Sequence, residues 1–179
     1  MTSAIELVPL ICCRCQTPVP AEPDEIAWVC ANCGQGLLLS ETKGTQPLVV
    51  NYAAGLMADK KGRPFWVATG QVNLQRRIYG GGDQSASAQA FWQSPHRFMV
   101  PAFALPLQTL VDVGYNLLLQ SPIINHGITA PFLPVTMATG DIQPMAEFIV
   151  MGIEAARKDN LKEMTFTLNL SSPELWIVH

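Results

Sequence analysis

The chain of 179 residues is long enough for one domain, or for a small module followed by a compact domain. Apolar residues make up 49 % of it and charged residues 14 %, against about 25 % charged in typical globular proteins. Such a chain can bury a core easily, but apolar surface remains that must be covered. The net charge is −3, and the first seven residues lack the basic region and apolar run of a secretory signal, so we expect no such leader.

Four of the five cysteines form two C-x-x-C pairs near the beginning of the chain. Cys12 and Cys15 make the first pair, and Cys30 and Cys33 make the second. Two such pairs at this separation supply four thiolates to one tetrahedral ion, so the spacing predicts a metal site. Cysteines used in this way fit a reducing compartment better than disulfides do, and we therefore expect a cytoplasmic location.

The segment 10–36 resembles the zinc ribbon group, in which two cysteine knuckles clamp one zinc ion between short strands. By position, the resemblance implies that the four paired cysteines are the ligands. Gly34 follows the second pair as these knuckles prefer, whereas Gln16 follows the first, which departs from the pattern. Cys13 is an additional thiol, and a C-x-C pair formed with Cys15 stays open as an alternative with a tighter bite.

The expected cofactor is one structural Zn²⁺ ion. Four sulfur ligands fill the coordination sphere of zinc and leave no position for water or substrate. Zinc binding contributes on the order of 10 kcal/mol, enough to fold a segment too small for a core of its own. Rubredoxin-like iron and a dithiol redox role are the alternatives.

The predicted fold class is α+β, with a small zinc ribbon followed by a mostly antiparallel sheet domain that has two principal helices. Residues 1–39 are predicted to form the ribbon module, with a strand at 26–29 leading into its second knuckle. Residues 40–47 contain Ser, Thr and Gly and are predicted as a linker.

Residues 48–179 are predicted as the α+β domain. Gly70 is expected to mark a bulge in a long strand, and the glycine-rich segment 80–89 is expected to be a mobile loop. Hydrophobic periodicity predicts the remaining elements. The predicted strands are 48–52, 64–79, 97–105, 164–170 and 173–179, and the predicted helices are 106–120 and 141–158.

A long stretch in this domain is almost uncharged. Between residues 98 and 140 the only formally charged side chain is Asp112. Prolines interrupt the stretch, which excludes the continuous run of about 20 apolar residues that a membrane span needs. Three interpretations remain: a buried core segment, a surface that faces a protein partner, and peripheral contact with a membrane.

Basic charge is concentrated in the middle of the chain, where residues 40–100 carry seven basic and three acidic side chains. Phosphate binding requires such charge, so a nucleic-acid-associated protein using the segment 60–97 is one alternative function. The other interpretation is a solvated hairpin rim. The candidate basic residues are Lys60, Lys61, Arg63, Arg76 and Arg77, with Tyr79 and Trp92 as stacking surfaces.

Residues for catalysis are few. The three histidines, His96, His126 and His179, do not lie at metal-ligand spacing from one another, and the chain has no G-x-S-x-G motif. We therefore expect a non-catalytic subunit or adaptor that acts through protein–protein contacts, with self-association as one form of partnership. An enzyme with a pocket near His126 is the second alternative.

Overall fold

A computed structural model describes residues 9–79 and 82–179, in which helices and antiparallel sheets confirm the α+β class. The first seven residues, for which no secretory signal is expected, lie outside the described residues. The strands are β1 (Ala27–Val29), β2 (Gly36–Ser40), β3 (Gly44–Leu48), β4 (Val50–Tyr52), β5 (Arg63–Ile78), β6 (His96–Pro101), β7 (Leu161–Leu170) and β8 (Glu174–Val178). The helices are α1 (Ser85–Trp92), α2 (Leu107–Gln120) and α3 (Ile142–Ala155), preceded by a 3-10 turn at Thr139–Asp141.

The N-terminal sheet contains three antiparallel strands in the order β1-β2-β3. The linker prediction for 40–47 was wrong, because these residues form the turn of the β2–β3 hairpin and most of β3. Gly44 adopts φ +74°, which suits a tight turn, and Thr45 is buried with its hydroxyl donating to the carbonyl of Ile11. The composition that indicated a linker is therefore that of a hairpin turn.

The N-terminal sheet packs directly on the rest of the chain. The N–H of Ile26 donates to the carbonyl of Val135 at 2.8 Å, and Ala27 forms an isolated bridge with the same residue. The side chain of Ala27 is fully buried in the main hydrophobic core. The position of the cysteine segment is thus fixed by strand contacts as well as by chain connectivity.

The second sheet has five strands, with β4, β8, β5 and β6 adjacent in that order. β4 and β8 are parallel, and the other pairs are antiparallel. β5 is central, since β8 and then β7 pair along one of its edges while β6 pairs along the other. The bulge expected at Gly70 was misplaced, because the register shift lies between Arg77 and Ile78. At Gly70 a Cβ atom would lie 2.5 Å from the ring of Phe98, so close packing explains this glycine.

The two long predicted helices correspond to α2 and α3, but α1 falls largely in the segment predicted as a loop. Its buried side chains are those of Ala88 and Trp92, which lie one helical turn apart. The carboxylate of Asp83 accepts the N–H of Ser85 at 2.7 Å, which satisfies a free donor at the start of the helix. No described helix is long and apolar enough to cross a bilayer.

The almost uncharged stretch divides between the core and the surface. β6 supplies four buried residues, Phe98, Met99, Val100 and Pro101, and α2 supplies the side chains of Leu110 and Leu118. Other apolar residues of the stretch are exposed. They are Leu107, Leu119, Ile123 and Ile128, with exposed fractions of 55, 48, 86 and 68 %. The core interpretation therefore holds for one part of the stretch, whereas another part is exposed apolar surface.

Candidate metal centre

The two cysteine knuckles share one backbone arrangement. In the first, the N–H of Gln16 donates to the carbonyl of Cys12 at 2.9 Å, and the N–H of Cys12 donates to the carbonyl of Thr17 at 2.8 Å. The second repeats both bonds. Gly34 donates to Cys30 at 2.8 Å, and Cys30 donates to Gln35 at 2.9 Å. Each turn thus presents its two sulfurs in the same way.

The residue after each pair adopts the left-handed conformation, with φ +60° at Gln16 and φ +71° at Gly34. The absence of glycine after the first pair therefore does not change the path of the backbone. A residue with a side chain adopts this conformation at a cost of roughly 1–2 kcal/mol, whereas glycine adopts it freely. The first knuckle carries this strain and the second avoids it.

We expect Gln16→Gly to raise the free energy of unfolding by up to about 1 kcal/mol, and Gly34→Ala to lower it by about 1 kcal/mol. No heavy atom lies within 4 Å of a Cβ built at Gly34, so the cost there is conformational rather than steric. Denaturant unfolding of the zinc-loaded protein measures both. A change of the same sign in the two variants would contradict the shared geometry.

The four knuckle sulfurs are brought together in space, all within 4.8 Å of one another. The Sγ atoms of Cys12 and Cys33 lie 3.6 Å apart, as do those of Cys15 and Cys30. Bonds of about 2.3 Å in a tetrahedral zinc–sulfur site place the sulfurs about 3.8 Å apart. The donor set and its spacing therefore fit a metal ion and are compatible with zinc.

Hydrogen bonds around the sulfurs favour thiolates on two of the four. The Thr17 hydroxyl and the Asn32 side chain lower the pKa of Cys15 to about 5. Burial raises the pKa of Cys12, but the N–H groups of Cys15 and Arg14 outweigh it, so that pKa is lowered.

The fourth thiol is different. The N–H of Gln35 acts to lower the pKa of Cys33, but burial and the three neighbouring cysteines outweigh it and raise that pKa to about 12. Four negative sulfurs this close repel one another. A cation in their centre removes the repulsion, as metal binding to thiolates requires.

A small hydrophobic cluster covers the site. Cys12, Cys30, Trp28 and Leu37 are buried together, with Trp28 exposed to only 5 %. Cys13 is exposed and takes no part in the group of four sulfurs, so the described geometry favours the C-x-x-C pairing over the alternative C-x-C pair. The indole of Trp28 provides an optical probe beside the centre.

The structure does not bring the candidate basic residues together. Lys60, Lys61 and Arg63 lie at the beginning of β5 or in the turn before it, whereas Arg76 and Arg77 lie at its end. Thirteen residues of extended strand, from Arg63 to Arg76, span about 43 Å.

Burial removes one basic and one aromatic candidate. The side chain of Arg76 is 1 % exposed and forms ion pairs with Glu154 and Asp159. Trp92 is buried, and only Tyr79, at 78 % exposure, presents an open ring, with the ammonium of Lys162 at 5.1 Å from its centre. The basic segment therefore offers no single convergent surface in the part of the chain that the structure describes.

His126 packs against Trp176 with ring centres 4.7 Å apart and the rings tilted by 40°, and its backbone forms an isolated bridge with Ala53. It does not line the cavity of about 790 Å³ between β5 and α1, nor three smaller cavities among the described residues. His96 lies between aromatic rings and is hydrogen-bonded to the carbonyl of Phe91 at 2.7 Å, and His179 contacts the carbonyl of Gly55. The three histidines thus lie in three different places in the fold.

The chain matches no protein-family model, and comparison with curated proteins and with solved structures likewise finds no match. The functional argument therefore rests on the geometry of the chain itself.

Proposed function

We propose that the protein is a non-catalytic zinc-binding subunit or adaptor that acts through protein–protein contacts in a larger cytoplasmic assembly. Two features support the proposal. The four sulfurs would complete the coordination of zinc without a position for substrate, which is the arrangement of structural zinc sites. The second feature, which carries the proposal, is the outer surface of α3.

The outer surface of α3 is apolar. Pro144, Phe148, Met151 and Ala155 are all exposed, and their spacing places them along one side of the helix. Phe148 is 41 % exposed and Met151 is 37 % exposed. A surface helix normally carries charged or polar residues on this side. We call these four residues the α3 stripe.

The acidic residues of α3 do not interrupt the stripe. Glu154 is fully buried, and Glu147 is half-buried and accepts a hydrogen bond from the side chain of Gln143 at 2.7 Å. The neighbouring helix α2 also exposes two leucines, Leu107 and Leu119, each to about half. An uncharged apolar helix surface supports contact with another protein, because water solvates it poorly.

A double substitution, Phe148→Glu with Met151→Glu, tests the proposal. Partner proteins would be cross-linked in cells to the tagged full-length chain and quantified by mass spectrometry. We expect the specific partner to be depleted at least about tenfold, because carboxylates in an apolar contact cost about 2 kcal/mol or more. The zinc content should not change.

Asn116→Glu is the matched control, since Asn116 is exposed on α2 and the change adds a carboxylate away from the stripe. It should retain the partner. Light scattering of the purified protein shows whether that partner is a second copy of the chain. A wild-type protein that is monomeric and enriches no partner, or a partner retained by the double variant, would contradict the proposal.

A further inference from the structure

A cleft of about 540 Å³ lies where the N-terminal part of the chain meets the second sheet, and we call it the junction cleft. One wall comes from the N-terminal part. Its residues are Pro20, Glu25, Trp28 and Val29. The other wall is formed by Tyr52 of β4 and by residues 129–132, which lie between α2 and α3. Ligand sites occur preferentially at such junctions between two parts of a chain.

Backbone hydrogen bonds hold both walls in place. The N–H of Ile26, next to β1, donates to the carbonyl of Val135 at 2.8 Å. In the opposite wall, the N–H of Gly62 donates to the carbonyl of Pro131 at 2.8 Å, and Gly62 also forms an isolated bridge with Phe132. The junction cleft is therefore pre-formed, which reduces the conformational entropy that is lost when a ligand binds.

Two aromatic side chains belong to the second wall. Tyr52 and Phe132 are half-buried, with ring centres 6.5 Å apart and ring planes inclined at 61°. The face of an aromatic ring carries negative potential and attracts a cation. The guanidinium of arginine is favoured among biological cations, because it is planar and stacks on such a face.

Glu25 is the only charged residue among the described residues that line the junction cleft. Its Oε2 accepts the N–H of Glu22 at 3.3 Å, and the residue is partly exposed. None of the salt bridges among the described residues includes Glu25. The junction cleft thus combines aromatic rings with a negative charge that has no countercharge from the described part of the chain.

We propose that the junction cleft binds an arginine side chain from a segment of a partner protein. The guanidinium stacks on an aromatic ring of the second wall and donates hydrogen bonds to the carboxylate of Glu25. An anionic segment is repelled by this carboxylate, and an uncharged one leaves it without a countercharge. The ammonium of lysine also neutralises the charge, but it lacks the planar face that stacks on a ring.

The inference rests on the proposed function, because the arginine belongs to a partner protein. The junction cleft and the α3 stripe lie on different elements, so each can be disabled without the other. The double variant Phe148→Glu and Met151→Glu should leave peptide binding in the junction cleft unchanged. Failure of the inference can therefore be distinguished from failure of the proposed function.

The test uses the full chain with zinc bound and a display library of random nine-residue peptides. We expect the selected peptides to share an arginine. The best peptide would be made again with citrulline, the uncharged analogue of arginine, at that position. We expect the citrulline peptide to bind at least about tenfold more weakly, because it loses both the cation–π contact and the charge pair.

Two variants locate the binding site. Glu25→Gln removes the charge but keeps a side-chain oxygen for the N–H of Glu22. Thr129→Arg places a guanidinium of the chain itself at the junction cleft, since Thr129 is exposed and lines it. We expect both variants to bind the arginine peptide at least about tenfold more weakly than the wild type.

Asp24→Asn and Ile128→Arg are the matched controls. Each makes the same change of charge at a neighbouring exposed residue that does not line the junction cleft. Both should bind the peptide within about twofold of the wild type. The inference is overturned if no peptide is selected, if the selected peptides share no arginine, or if citrulline binds equally well. It is also overturned if the controls lose as much affinity as the two cleft variants, because the attraction is then a general effect of charge.

Discussion

Replacement of Cys30 by alanine is expected to abolish metal binding and to unfold the N-terminal sheet. Cys30 is buried, and its sulfur lies 3.6 Å from that of Cys15. Loss of one ligand opens the coordination sphere and removes most of the metal's contribution to folding, which is on the order of 10 kcal/mol for a structural site. The segment has only a small core of its own, so without the metal it is held mainly by the contacts of Ile26 and Ala27 with Val135.

Elemental analysis should give one zinc ion per wild-type chain and none for Cys30→Ala. Amide exchange should become fast throughout β1, β2 and β3, and the fluorescence of Trp28 should change in the same way when a chelator removes the metal from the wild type. Unaltered exchange in the metal-free protein would show that strand contacts alone hold the sheet.

Cys13→Ala is the control, because Cys13 is exposed and outside the group of four sulfurs. It should keep one zinc ion and normal exchange. A loss of metal in this variant, together with retention in a Cys12→Ala variant, would favour the C-x-C alternative instead.

The metal site was the part of the protein most open to sequence reasoning. C-x-x-C spacing is a local property, so the pattern identified all four sulfurs that the fold brings within 4.8 Å. The sequence did not show that Gln16 would adopt the same left-handed conformation as Gly34. That conformation depends on the hydrogen bonds of the whole knuckle rather than on the identity of one residue.

Two local features were misread because different structures share their composition. Residues 40–47 have the Ser, Thr and Gly content of a linker, but Thr45 is buried through a contact with Ile11, far away in the sequence. The helix α1 has only two buried side chains and begins next to a glycine-rich segment. Its start is held by Asp159, whose carboxylate accepts the N–H of Gln84 at 3.3 Å. Neither contact has a local sequence signal.

Arg76 shows that the role of a charged residue also cannot be read from the local sequence alone. By sequence it belongs to a basic cluster, but it lies on the buried face of β5. Both Nη atoms donate to the carboxylate of Asp159 at 2.8 Å, and Nε lies 2.9 Å from Oε2 of Glu154. The hydrogen bond from Arg76 lowers the pKa of Asp159. The partners are about 80 residues apart in the sequence, so only the fold shows that this arginine is structural.

Substitution of Glu154 is expected to break this network and to cause a large loss in the free energy of unfolding. Its Oε1 accepts hydrogen bonds from the indole N–H of Trp92 and from Nε of Arg157, both at 2.8 Å, and the side chain is fully buried. In Glu154→Ala, the indole of Trp92 and the guanidinium groups of Arg76 and Arg157 each lose the carboxylate as a partner. Removal of one member of a buried ion pair costs about 3–5 kcal/mol, so we expect a loss of that size in the free energy of unfolding.

Glu163→Ala provides the comparison, because Glu163 pairs with Arg77 at 3.5 Å where both side chains are more than half exposed. Exposed pairs contribute at most about 1 kcal/mol, since water and salt screen them. Denaturant unfolding of the zinc-loaded proteins measures both losses. Similar losses in the two variants would mean that water reaches the Glu154 carboxylate, and the argument that Arg76 is unavailable to an anionic ligand would then fail with it.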